Sequence, residues 1–141
     1  MSSAPGQHSD SQYSAVFPAF VSALLEDRPP TIQWDGEQGR DFTYIDDVVD
    51  ANLKAADADD RASGHALNIG SGSPRSINEV LEAISKEIKW VDPEFQPKRP
   101  GDIRMSHADI SAARDLLGWA PSTLWDDAIA ATVNWFRESG L

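Results

Sequence analysis

His65 to Ile69 is a short apolar run that ends in Gly70-Ser71-Gly72, and soon after it Ser76 and Glu79 stand at the spacing of a capping box. Ile77, Val80, Leu81, Ile84 and Ile88 then recur on one face of a helix. A strand that turns through glycines into a capped amphipathic helix is the working unit of α/β folds. Helices and short strands alternate along the rest of the chain, so the expected class is α/β. Only a few strands are visible, whereas a complete doubly wound sheet has about five or more. The chain reads as part of a larger fold.

The flanking elements follow from similar signals. Phe17, Phe20, Val21, Leu24 and Leu25 recur at helical spacing from Val16, with Pro18 in the first turn, and Arg28-Pro29-Pro30 stops that helix. Thr31 to Trp34 and Asp41 to Ile45 are β-prone runs around the turn Asp35 to Gly39, which predicts a small hairpin or two strand edges joined by a loop. Asp46 and Asp47 open a helix to about Ala56, and their carboxylates suit its positive end and its capping. Trp90 to Pro100 carries three prolines and reads as extended. Asp109 is placed to cap a short helix over Ile110, Ala113, Leu116 and Leu117 that Gly118 closes. A last helix follows Pro121-Ser122-Thr123, with Leu124, Ala128, Ile129, Val133 and Phe136 on one face. Residues 1–13 are polar and aperiodic and are expected to form a flexible N-terminal segment, leaving 14–141 as one domain.

Composition narrows the function. With 40% apolar and 25% charged residues the chain fits an ordinary globular domain. No apolar run approaches the roughly 18 residues of a membrane span, and the start of the chain lacks a basic leader followed by an apolar stretch, so the expected compartment is the cytoplasm. The absence of cysteine removes disulfides, thiol nucleophiles and cysteine metal sites, and His8, His65 and His107 are too dispersed for a zinc set. Twelve basic against 23 acidic residues give a formal charge of −11, which repels nucleic acid and anionic lipid. Any local gathering of arginines stands out against that field.

Gly36-Glu37-Gln38-Gly39-Arg40-Asp41-Phe42-Thr43-Tyr44-Ile45-Asp46-Asp47-Val48-Val49 strongly resembles the extended short-chain dehydrogenase/reductase family of NAD-dependent nucleotide-sugar epimerases and dehydratases. Leu67-Asn68-Ile69-Gly70-Ser71-Gly72 with Ser76-Ile77 is similar to that family's late strand and following helix. Arg99-Pro100-Gly101-Asp102, Ala108-Asp109-Ile110-Ser111 and Leu116-Leu117-Gly118-Trp119 are similar to its C-terminal substrate lobe. Within the family, the Arg-Pro-Gly-Asp spelling resembles most the UDP-glucose and UDP-N-acetylglucosamine 4-epimerases. The resemblance runs from about Tyr13 onward and implies the C-terminal part of a Rossmann-like fold: a few strands plus a helical substrate-binding lobe.

It also implies roles for particular residues. Arg40 matches the arginine that grips the pyrophosphate of the sugar nucleotide, and its planar charged fork suits phosphate oxygens. The alternative is a salt bridge to Asp41, Glu37 or Asp46. Arg99 and Asp102 match a second phosphate arginine and the acid that bonds the ribose hydroxyls; the alternative is a turn in which Asp102 caps its own backbone and Arg99 is solvated. Thr31, Ile32 and Gln33 match the strand that holds the base, and Phe42 borders the ribose or base. For Ile32 and Phe42, simple core packing is the competing reading. His65 and His107, without a Ser or Cys partner, read as structural, and the scattered tryptophans as core and edge packing.

Two departures from the family pattern matter. The 141 residues contain neither the glycine-rich dinucleotide fingerprint nor a Tyr-x-x-x-Lys pair, since Phe17 and Val48 stand four residues after Tyr13 and Tyr44. Gly70-Ser71-Gly72-Ser73-Pro74-Arg75, with Arg75 in place of a third glycine, reads as a strand-to-helix turn rather than a phosphate cradle. Trp34 stands where such sequences place Gly before Asp-Gly. In complete relatives NAD takes a hydride from the sugar C4, the keto intermediate rotates, and hydride returns to the other face with tyrosine as the base. The expectation here is a UDP-sugar-binding fragment without bound cofactor or metal and without turnover of its own, forming a homo-oligomer or pairing with an NAD-binding half. The alternative is a binding or assembly module that keeps only the fold.

Overall fold

The computed structural model describes residues 2–3 and 16–139. Most of the expected flexible segment 1–13 thus lies outside the described residues. Element order is β1 (Ser2–Ser3), α1 (Val16–Leu25), β2 (Thr31–Gln33), β3 (Gly39–Arg40), β4 (Thr43–Tyr44), α2 (Ile45–Ala56), β5 (Arg75–Ser76), α3 (Ile77–Glu87), β6 (Glu94–Gln96), α4 (Ser111–Leu117) and α5 (Trp125–Ser139).

The strands form short two-stranded ladders among the described residues. β1 and β4 are parallel, as are β2 and β6, with Ile32 opposite Phe95; β3 and β5 are antiparallel, with Arg40 opposite Arg75. The hairpin alternative for Thr31–Ile45 is therefore not taken. β2 finds its partner in the proline-bearing run near Glu94. The apolar run His65 to Ile69, expected as a strand, joins no ladder among the described residues. Its Leu67 and Ile69 side chains instead pack against the apolar cluster of Ala51, Ile110, Ala113 and Trp119.

Two apolar clusters organise the unit. In the larger, Phe17, Phe20, Val21 and Leu24 of α1 meet Val80, Leu81 and Ile84 of α3 and Ile129, Val133 and Phe136 of α5, with Ile32 and Phe42 entering from the strands. Helical spacing dictates this contact, since each helix buries the stripe its sequence made apolar. Leu124 is a correction: it precedes α5, is 69% exposed and lies outside the stripe. The smaller cluster joins Ala51 of α2 to Ile110 and Ala113 around a fully buried Trp119, whose Nε1–H donates to the Asp47 carbonyl at 3.1 Å.

Capping chemistry sets the helix ends. The Ser76 hydroxyl accepts from the Glu79 N–H at 3.1 Å and the Glu79 carboxylate from the Ser76 N–H at 2.7 Å, the reciprocal pair of a capping box. The expected cap of α4 by Asp109 is corrected: the N-cap is Ile110, without a capping side chain, and Asp109 accepts from the Ser111 N–H at 2.9 Å one residue ahead of it. Gly118, with φ 61°, ends α4 in the left-handed turn that glycine adopts without steric cost. Asp46 and Asp47 do not cap their own helix, whose N-cap Tyr44 makes no side-chain bond. Asp47 is buried and reaches across to the Ser122 and Thr123 N–H groups at 2.9 and 3.2 Å, fixing the approach to α5.

Candidate functional site

β3 and the turn after β6 bring two predicted residues together. Arg40 donates through Nη2 to the Asp102 carboxylate at 3.3 Å and through Nη1 to the Gly39 and Ile103 carbonyls at 2.8 and 2.9 Å. The salt bridges to Asp41, Glu37 or Asp46 expected as alternatives are not made; the partner comes from 62 positions away. Side-chain exposure is 14% for Arg40 and 24% for Asp102, so both keep an open edge. Of the five guanidinium N–H groups, Nε–H and one on Nη2 carry no bond among the described residues, and two such donors in one plane suit a phosphate.

Asp102 sits in a tight turn, its N–H bonded to the Arg99 carbonyl at 3.2 Å and Gly101 at φ 83°. Its carboxylate is given to Arg40 rather than to its own backbone. The Arg99 side chain is exposed and makes no hydrogen bond or ion pair among the described residues.

The strand residues fall on different sides. Thr31 is exposed, Ile32 is buried in the core, and Gln33 is half-buried with its carbonyl accepting from Gln38 Nε2 at 2.6 Å. Phe42 is buried with its ring edge-on to Phe17 at 5.2 Å. It also borders a cavity of about 240 Å³ shared with Tyr44, Arg75 and Trp125. His65 and His107 are exposed, and among the described residues no group of three or more His, Asp or Glu is arranged to hold a metal. No described helix is long and apolar enough to cross a membrane.

The turn Gly70-Ser71-Gly72 has a different employment. Asp41, buried beneath it, accepts from the Ser71 N–H at 2.7 Å, the Ser71 hydroxyl at 2.6 Å, the Gly72 N–H at 3.1 Å and the Ala108 N–H at 3.2 Å. A side chain at Gly70 would strike the same carboxylate, its Cβ lying 2.8 Å from Oδ2. Burial pushes the Asp41 carboxyl up, but the bonds from Ser71, Ala108 and Gly72 outweigh it and hold the group below the usual carboxylate range. These N–H groups face an anion of the chain itself. They do not fit a dinucleotide cradle, because a pyrophosphate would meet both occupied donors and a negative charge.

Sequence reasoning missed one cluster. Trp34 has φ 63°, the left-handed region, which costs a non-glycine residue about 1–2 kcal/mol. Its ring carries Lys98 Nζ at 3.8 Å and the Arg104 guanidinium at 4.6 Å from the centroid. Arg104 Nη1 also donates to both oxygens of the Asp35 carboxylate, at 2.9 and 2.7 Å, and this bonding holds the Asp35 carboxyl below its ordinary range. The available signal was the departure itself: a tryptophan where Gly is expected before Asp-Gly. Lys98, Arg99, Arg104 and Arg40 thus come from two segments that meet here, in a chain of net charge −11.

Comparison with known proteins gives consistent matches. Residues 2–70 match the NAD dependent epimerase/dehydratase family. A UDP-glucose 4-epimerase of Mycolicibacterium smegmatis is 39% identical over 125 residues, 88% of this chain and 39% of that protein. The solved UDP-N-acetylglucosamine 4-epimerase from Methanobrevibacter ruminantium, in complex with UDP-N-acetylmuramic acid, superposes with a TM-score of 0.90 at 35% identity, covering 98% of this chain and 44% of that one. The UDP-glucose 4-epimerase of Thermotoga maritima with UDP-glucose gives 0.91 at 30% identity, over 99% and 44%. This chain spans about two fifths of the length of the relatives it matches.

Proposed function

The chain belongs to the NAD dependent epimerase/dehydratase family, corresponding to the C-terminal part of its longer members, and from that premise we propose that it holds the nucleoside diphosphate end of a sugar nucleotide, UDP-sugars first. The observation that carries this reading is the meeting of Arg40, Asp102 and Arg99 from segments far apart in sequence. Arg40 presents its open N–H edge to one phosphate and the exposed Arg99 reaches the other, so two permanent cations neutralise a doubly charged pyrophosphate. Asp102, oriented by Arg40, accepts from the ribose hydroxyls. Thr31 and Gln33 border the base and Phe42 backs the site from the core.

Hydride transfer is not assigned to these residues. NAD supplies that chemistry in the family, and the N–H groups of the glycine-rich turn Gly70-Ser71-Gly72 are spent on Asp41. The reading is therefore substrate retention, with no catalytic residue and no metal. Calorimetry tests it directly: UDP, UDP-glucose and UDP-N-acetylglucosamine bind with measurable heat and NAD gives none. At roughly 100 times its dissociation constant such a ligand adds about 2.7 kcal/mol to the native state, a clear thermal shift.

The Arg40–Asp102 ion pair also favours a second reading, an assembly module in which the two charges merely satisfy each other. Absence of heat with every UDP compound selects it. Both readings include a partner surface, since Val49 and Leu53, four apart on α2, are 49% and 62% exposed and the extended run His65 to Ile69 is unpaired among the described residues. A homo-oligomer, or an NAD-binding half, covers that surface. Light scattering behind size exclusion that finds a monomer of 15.4 kDa rules out the homo-oligomer.

A further inference from the structure

We infer that Trp34 is a positioning residue for the proposed nucleotide site: its indole ring clamps both feet of the Arg99–Ile103 loop and so sets where Arg99 and Asp102 stand. The inference rests on the UDP-binding reading and deepens it. Lys98 immediately precedes the loop and Arg104 immediately follows it, and both cationic groups lie over the one ring, at 3.8 and 4.6 Å from its centroid. Arg40 braces the Asp102–Ile103 side of the loop, and the Gly39 N–H donates to the Arg104 carbonyl at 2.8 Å, but the Arg99–Gly101 side has little besides the ring to hold it. A Cβ at Gly101 would meet open space, Ile103 is 55% exposed and the Arg99 side chain makes no bond among the described residues.

The backbone beneath Trp34 is fixed on both sides of the residue. Its N–H donates to the Gln96 carbonyl at 2.8 Å, and the next carboxylate, Asp35, accepts from Arg104 Nη1. The ring is thus rooted where β2 and β6 end and grips the loop across the gap. A left-handed tryptophan is retained although glycine fits this backbone without strain. Strain kept at one position beside a binding loop is compensated by what the side chain does there, and here it holds two cations.

Trp34→Gly and Trp34→Phe separate this role from a merely structural one. Glycine relieves the backbone strain while removing the ring, so Trp34→Gly keeps or raises the melting temperature, yet weakens UDP roughly five- to thirtyfold, the loss of two cation–ring contacts. Hydrogen exchange at the Asp102 amide, which bonds to the Arg99 carbonyl, speeds up in the same variant with or without UDP. Trp34→Phe, which keeps an aromatic face, restores most of the affinity and most of the protection. The inference is overturned if Trp34→Gly binds UDP like the parent with unchanged Asp102 exchange, or if affinity falls only together with the melting temperature in both variants. Should the parent itself fail to bind UDP, the nucleotide reading falls, and Asp102 exchange still decides the clamp: unchanged exchange in Trp34→Gly rejects it.

Discussion

Arg40 and Asp102 face each other at 3.3 Å across 62 positions of sequence, each partly open to solvent. Arg40 reaches its partner while spending two further N–H groups on the Gly39 and Ile103 carbonyls, so it is a structural brace as well as a candidate ligand group. Arg99 has only the second character. The two arginines are equivalent by motif and unequal by environment.

That inequality predicts different phenotypes. Arg40→Ala removes three hydrogen bonds from a side chain largely out of water, and is expected to cost about 1–2 kcal/mol of stability besides weakening UDP by about 1.5–3 kcal/mol. Arg99→Ala is expected to weaken UDP to a similar degree and leave stability within about 0.5 kcal/mol, because its side chain is exposed and unpaired among the described residues. Denaturant melts and UDP titrations of both variants check this, and equal stability losses contradict the division.

The capping box at the start of α3 carries a sharper local expectation. Ser76→Ala leaves the Glu79 N–H without its acceptor and should destabilise the protein by about 1 kcal/mol, while Ser76→Asp, which restores an acceptor and adds charge at the helix N-terminus, should recover most of that. Thermal melts of the pair at neutral pH decide it.

The features that the chain made legible are those decided within a few residues. Ser76 and Glu79 cap α3 as their spacing indicates, Gly118 closes α4, and the apolar stripes of α1, α3 and α5 meet as periodicity requires. Partnerships over long separations were not legible, for a physical reason. A carboxylate at a helix start satisfies the same local rule whether it caps its own helix or, as Asp47 does, holds N–H groups 75 and 76 positions away. The β-propensity of Thr31 to Gln33 likewise says nothing of whether it pairs with the next strand or with Glu94 to Gln96. For the site, motif resemblance located Arg40 and Asp102 but could not show that they bond each other. Asp41 read as a neighbour for Arg40, and the donors it gathers from Ser71, Gly72 and Ala108 became apparent only in three dimensions.

Asp47 supplies a test of such a distant bond. Asp47→Ala removes the buried acceptor of the Ser122 and Thr123 N–H groups; Ser122 is exposed and Thr123 half-buried, so water can replace part of the bonding and the expected cost is about 1–2 kcal/mol. The loss should localise, with faster hydrogen exchange at residues 122–124 than within α3. Uniform acceleration over the chain would mean that the bond has no particular hold on the approach to α5.

Asp41 makes the fold sensitive to acid, and the sign can be derived. Its folded-state carboxyl lies below the ordinary value of 3.8, so in the folded protein it binds its proton more weakly than in the unfolded chain. Stability from this group is therefore complete above the unfolded value and is lost as pH falls from about 4 through the lower folded value. Protonation would put a hydroxyl hydrogen among the donors of Ser71, Gly72 and Ala108 and release the Ser71–Gly72 turn and the Ala108 amide together. Asp41→Asn imitates that state at neutral pH. Its amide nitrogen has to face N–H groups, and the expected cost is about 2–3 kcal/mol, part of the acid sensitivity disappearing with the carboxyl. Melting temperatures of parent and variant between pH 7 and pH 3 give the test: the gap between them should narrow on the acid side, and a constant gap over the whole range refutes the assignment of acid sensitivity to Asp41.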